Sequence, residues 1–235
     1  MRMSMSLAVR LGGALVGLPL VLAACATTPA GVTEVGGVVS PATRAMYAAV
    51  DDGRFVVPAI PERYLTPENV RQEVDFWADE PPGSIVVDPY TTHLYYLLGN
   101  DSAIRYRVGV GAMGRTFAGR AAVGRKQEWP TWTPTANMIS IEPDLYGPWA
   151  GGMEPGLQNP LGARAMYLYR GGRDTMYRIH GTYAPSSIGD SVSAGCIRMF
   201  QQDAMDLFER VEIGTRVRVL GPCETGYGTV PPGSV

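Results

Sequence analysis

A chain of 235 residues with 46% hydrophobic side chains can bury a sizeable core. Its 29 glycines and 19 prolines, set against only 18% charged residues, point to a mainly β class of short strands and turns, not to disorder or a helical bundle. The formal charge of −2, with lysine and arginine scattered, offers no basic stripe for a phosphate backbone and excludes nucleic acid as a partner.

At the N-terminus Arg2 and Arg10 flank and precede the uncharged run LGGALVGLPLVLAACA. The run is too short and too glycine-rich for a membrane span and suits the apolar core of a secretory signal. Residues 1–24 therefore read as a lipoprotein signal peptide outside the fold. LAAC, ending at Cys25, resembles the bacterial lipobox. That resemblance implies cleavage before Cys25 and lipidation of Cys25, so that acyl chains tie the protein to a membrane. An ordinary cleaved signal with a free Cys25 is the alternative.

Residues 25–45 are small and polar and read as a flexible tether. Residues 46–82 form an N-terminal extension. Within it TPENVRQEVDFWADEPPG is either one helix, capped by Thr66 and Pro67 and stopped by Pro81 and Pro82, or an extended arm. SIVVD (84–88), HLYYLL (93–98) and AIRYRVGV (103–110) read as strands, the last two joined by the turn signal GND. RAMYLYR (164–170) and TMYRIH (175–180) form a second hairpin across GGRD. The period then changes: Ala204, Leu207, Phe208 and Val211 make the stripe of a short helix that Gly214 closes. TRVRVL (215–220) alternates as a half-buried strand, and residues 222–235 are a Gly/Pro-rich tail.

Three cysteines in an exported chain are either paired or kept for chemistry. With Cys25 lipidated, only Cys196 and Cys223 remain to pair, and Cys223 opens the tail, where a staple would hold little. His93 and His180, far apart and without a CxxC pair, do not form a zinc pattern, so neither metal nor cofactor is expected. His93, inside a strand run, reads as structural.

His180 ends its strand on the face shared with Met176 and Arg178, opposite Tyr177 and Ile179. Cys196 follows in SAGC, ahead of the helix, where main-chain N–H groups and the helix N-terminus are expected to favour a thiolate. The bland readings are a core histidine on a carbonyl and an inert buried cysteine. A strand end, a long loop and a cysteine before a helix let imidazole and thiol meet. Histidine before cysteine argues against the papain-like order, and GxSxG is absent.

HGT, then SAGCIRM, closely resemble the signature of the L,D-transpeptidases, the YkuD-like enzymes of bacterial cell walls. IVVDP, YRVGVGAMG, VGRKQEWPTWTP, NPLGARAMYLY and VEIGTRVRVL extend the likeness over a catalytic domain spanning 83–221. The resemblance implies a β-sandwich or barrel of mixed strands with a short helix after the catalytic cysteine. It implies cleavage of the diaminopimelate–D-alanine amide of a peptidoglycan tetrapeptide stem through a thioester, followed by transfer to an amine. Hydrolysis that trims stems or releases wall-linked proteins, and an inactive peptidoglycan-binding lipoprotein, are the alternatives.

On this likeness Cys196 is the nucleophile and His180 its base, oriented by the Gly181 carbonyl, with Asp190 as the alternative. The main-chain N–H groups of Gly195 and Cys196 would form the oxyanion hole, and Ser193 would brace the loop. Many members have a second histidine where Ala194 stands. Arg198 would grip a substrate carboxylate, or else pair with Asp203 or another acid. Trp129 and Trp132 either line the cleft or simply pack. The acceptor amine would belong to a second stem, a free D-amino acid or an outer-membrane protein. Ala26 after the lipobox cysteine favours the outer over the inner membrane, on the periplasmic face of the envelope.

Overall fold

The computed structural model describes residues 39–111, 117–190 and 196–234, all within the unit Gly31–Val235. The expectations placed on Cys25, Ser193, Ala194 and Gly195 lie outside the described residues. Alternating and continuous apolar runs become strands where expected. They are β4 (Ile85–Asp88), β5 (His93–Gly99), β6 (Ser102–Arg107) with β7 (Gly109–Val110), β9 (Arg164–Arg170), β10 (Arg173–Gly181) and β12 (Arg216–Val219). Ile85, Val86 and Val87 are all buried, as a strand covered on both faces requires. The GND turn places Asn100 and Asp101 at φ 51° and 56°, and GGRD places Gly171 and Gly172 at φ 56° and 76°; these left-handed pairs match the twist of a two-residue hairpin.

A single ten-stranded mixed sheet joins these with β3 (Gln72–Asp75), β8 (Gly119–Glu128) and β11 (Ile197–Met199), in the order β3-β6-β5-β4-β12-β8-β9-β10-β11-β7. Strands β6 and β7 are separated by Val108 alone, yet β6 lies second and β7 last in that order. The sheet must therefore curl until its far edge meets the same stretch of chain. Inside the curl Ile85, Leu94, Tyr106, Val123, Leu168, Ile179 and Val217 form one core. It is closed by α4 (Gln201–Arg210), whose Ala204, Leu207 and Phe208 are buried. That helix ends at Arg210, one turn before the expected Gly214.

The segment before β4 is more ordered than its composition suggests. Val39 is 2% exposed and α1 (Pro41–Ala45) follows, capped by Ser40, so the C-terminal end of the expected tether belongs to the fold. A small hairpin of β1 (Val50–Asp51) and β2 (Val56–Val57) comes next. TPENVRQEVDFWADEPPG is not a helix: residues 66–70 turn, and β3 pairs antiparallel with β6. Cross-strand hydrogen bonds and burial of Phe76 override its helix-start signals. The tail also packs: Asp88 accepts from Gly226 N at 2.9 Å and from Thr225 Oγ1 at 3.0 Å, and the Tyr227 hydroxyl donates to Glu80 at 2.9 Å. Cys196 and Cys223 are free thiols. Among the described residues no helix is long and apolar enough to cross a membrane.

Candidate active site

Strand register brings the two sequence-selected residues together. β10 and β11 are parallel neighbours with Ile179 opposite Ile197, His180 opposite Arg198 and Gly181 opposite Met199. Paired residues of parallel strands point to the same side, and residues two apart along a strand share a face. Ile179 and Ile197 therefore turn into the core, while His180, Arg198 and Cys196 face away from it together. All three line one cleft of about 710 Å³.

His180 is 3% exposed, and its Nδ1 lies 2.6 Å from the Gly181 oxygen. A carbonyl only accepts, so Nδ1 carries the proton and Nε2 is left with its lone pair. Burial holds this imidazole down to about 4, with Gly181 opposing and the charges of Arg198 and Arg178 adding to the effect, so the ring is neutral at physiological pH. Asp190 makes no hydrogen bond to His180 among the described residues. Its main-chain oxygen accepts from Val110 N at 3.0 Å, and its charge favours the cationic form of Arg198.

Burial also pushes the Cys196 thiol up, outweighing the charge and main-chain hydrogen bond of Arg178 and the charge of Arg198. The expected place of Cys196 directly ahead of a helix N-terminus is corrected, while the main-chain N–H groups of 193–195 lie outside the described residues. β11 and Phe200 stand between Cys196 and α4, and the half-buried sulfur lacks the solvation an anion needs. Both shifts favour the neutral forms of the two groups, which line the same cleft.

Arg198 reaches Ser187 O at 3.5 Å through Nη2, and its buried Nε has no partner among the described residues. Asp203, the acid weighed as its partner, is taken by Arg71 at 2.8 Å. Trp132 lines the cleft, whereas Trp129 packs tilted on Phe55 and donates to Asp52 at 2.7 Å. His93 sits on β5 against Arg107 at 3.3 Å, away from the cleft lining.

The opposite wall comes from α2 (Ala136–Ile141), α3 (Pro143–Tyr146) and the turn through Trp149, and is mostly apolar: Met138, Leu145, Tyr146 and Trp149. Its lower part is pinned by Asn159, 1% exposed, whose amide donates to Pro130 O at 3.0 Å, Glu154 O at 3.1 Å and Met153 O at 3.3 Å. Met153 and Trp132 exchange main-chain hydrogen bonds at 2.6 and 3.0 Å.

The loop between His180 and Cys196 is held from outside the cleft. Ile188 packs with Tyr47, Val70 and Phe200, so the N-terminal extension and the strand-to-helix junction after Cys196 share one apolar cluster.

The YkuD family model, described as the L,D-transpeptidase catalytic domain, matches residues 82–219. The chain belongs to the L,D-transpeptidase family. It is 34% identical over 178 residues to the probable L,D-transpeptidase ErfK/SrfK of Escherichia coli K12, covering 74% of this chain and 52% of that protein. It is 34% identical over 164 residues to the probable L,D-transpeptidase YbiS of the same organism, covering 68% and 48%. The chain thus spans about half the length of these curated relatives. A crystal structure of the Enterococcus faecium L,D-transpeptidase, a C442S mutant, aligns with 21% identity, 60% of this chain, 50% of that one and a TM-score of 0.41.

Within this family frame, the residues that sequence reasoning missed are those acting through others: Asn159, and Gln201, which accepts from Ala163 N at 2.9 Å against Gly181. Asn159 stands inside the NPLGARAMYLY stretch that resembles the family, which was the only signal available for it.

Proposed function

We propose that this protein is a peptidoglycan L,D-transpeptidase. The observation that carries the reading is the shared cleft of Cys196 and His180, with the imidazole tied by Nδ1 to Gly181 O at 2.6 Å so that Nε2 is the free base. In acylation the Cys196 S–H proton passes to Nε2 as sulfur attacks the carbonyl of diaminopimelate. The C–N bond to D-alanine then breaks, and the His180 proton leaves on the departing amine. In transfer an amine attacks the thioester, a C–N bond forms, the C–S bond breaks, and the proton returns through His180 to sulfur.

The N–H groups of Cys196 and Gly195 stabilise the oxyanion, Ser193 braces their loop, and Arg198 holds a donor carboxylate. A guanidinium lining the cleft, with a buried Nε that has no partner among the described residues, supports that last role. Cys25 carries the lipid anchor, the site of action is the periplasmic face of the envelope with the outer membrane favoured, and the acceptor is a stem amine or an amine of an outer-membrane protein.

The test is to incubate the purified full-length protein with tetrapeptide fragments and weigh the products. A cross-linked dimer, or an acyl-enzyme on Cys196, is expected. A shortened stem alone would make the protein a hydrolase, and dimer formed undiminished by Cys196→Ala would sink the mechanism.

A further inference from the structure

We propose that the Glu154 carboxylate receives the cationic amine of the acyl acceptor and so directs the Cys196 thioester toward aminolysis instead of hydrolysis. This rests on the transpeptidase reading above and assigns a specificity-determining residue to it.

Among the described residues that line the cleft, Glu154 is the only carboxylate and Arg198 the only arginine or lysine. Arg198 stands two residues from the nucleophile on the same strand face and suits the anionic end of a donor. Glu154 lies on the other wall. It is exposed there, and among the described residues its side chain has no hydrogen bond or ion pair. Its place is nonetheless built. The buried Asn159 amide holds the Glu154 carbonyl at 3.1 Å, and the Trp132–Met153 bridge fixes the preceding residue. The carboxylate is thus left unpaired among the described residues, on a pinned backbone, in a cleft also lined by Met138, Leu145 and Trp149, and is available to a cationic ligand.

Once Cys196 is acylated, two nucleophiles compete for the thioester. Water is neutral. An aliphatic amine at neutral pH arrives as an ammonium ion, since amine pKa values lie above 7. A negative charge carried on a pinned backbone beside mostly apolar side chains concentrates that cation and leaves water unaffected. The ammonium releases one proton to solvent, and the neutral amine attacks the thioester carbonyl. Its second proton goes to His180 Nε2 and then to sulfur as the C–S bond breaks.

The experiment reads the ratio of transfer product to hydrolysed stem in a single mixture, which is independent of how fast Cys196 is acylated. Full-length wild type, Glu154→Gln and Glu154→Ala are given a tetrapeptide donor with either a D-amino acid amide, protonated at neutral pH, or hydroxylamine, largely uncharged there. With the charged amine the ratio is expected to fall about tenfold in both variants, the scale of one lost charge-assisted hydrogen bond. With hydroxylamine it is expected to stay at the wild-type value, and Glu154→Asp should recover part of the loss. An unchanged ratio with the charged amine, or an equal fall with hydroxylamine, would overturn the role of Glu154 while leaving the transpeptidase reading intact. A wild type that never acylates Cys196 would overturn both.

Discussion

Arg71, in the segment ahead of the catalytic domain, reaches Asp203 of α4 at 2.8 Å across 132 positions of chain. Asp203 is fully buried. Burial raises its carboxyl to about 6 despite the attraction of Arg71. Deleting the cation would strand a buried charge, so Arg71→Met is expected to lose about 3–5 kcal/mol at neutral pH in denaturant unfolding. Because the folded-state pKa lies above the ordinary 3.8 and loss of Arg71 raises it further, protonation relieves the strain: the gap between variant and wild type should shrink as pH falls toward about 6 and stay small below it. A gap that is constant with pH would mean that Arg71 contributes packing alone.

His180 is held down to about 4 and the Cys196 thiol above its usual value, so the neutral pair persists across a broad window. The acid limb of the acylation rate should therefore lie well below the ordinary histidine value of 6.5, and the rate should be level through neutral pH. Iodoacetamide labelling of Cys196 should be slow near pH 7 and accelerate only in alkali, because alkylation requires the thiolate. Fast labelling at pH 6 would reveal a thiolate–imidazolium pair and contradict the neutral assignment.

Gly181 presents the oxygen that holds His180, and a β-carbon there would collide with Oε1 of Gln201. Gln201 cannot simply swing away, since the same oxygen accepts from Ala163 N at 2.9 Å. Gly181→Ala is expected to tilt the imidazole and slow acylation about 100-fold, the scale of an ångström of misplacement. Pairing it with Gln201→Ala removes the obstacle and should restore part of the rate, at a cost of about 1–3 kcal/mol of stability for the orphaned N–H. Absence of any rescue would separate Gln201 from His180.

Arg198 meets the cleft with a buried Nε that has no partner among the described residues. Arg198→Met should lower kcat/KM for the tetrapeptide donor about 10–100-fold, mainly through KM, the range expected for a lost charge-assisted contact. Arg198→Lys should recover little, because an ammonium cannot reproduce the planar fork. Equal losses with a donor whose carboxylates are amidated would exclude carboxylate binding.

Local pattern determined a good part of this protein. Continuous apolar runs placed β4 and β9, alternating ones placed β10 and β12, a Tyr- and Leu-rich run placed β5, turn residues closed two hairpins, and a period-3.6 stripe placed α4, because burial on one or both faces imposes its spacing on neighbouring residues. His180 and Cys196 were legible as uncommon residues in a glycine- and serine-rich setting. Strand β8, GRAAVGRKQE, was not, since its arginines and glycines give no clean alternation and only pairing with β9 and β12 makes it a strand. Residues 72–75 read equally as helix or extended arm until β6 supplied their hydrogen bonds. Tertiary structure alone decides that His180 is shifted down and the Cys196 thiol up, because burial is a property of everything packed around a group and not of its neighbours in sequence. It also decided that Arg71 pairs with Asp203 and leaves Arg198 facing the cleft, and that Asn159 fixes the wall bearing Glu154. Those contacts join residues far apart along the chain, and no local period records them.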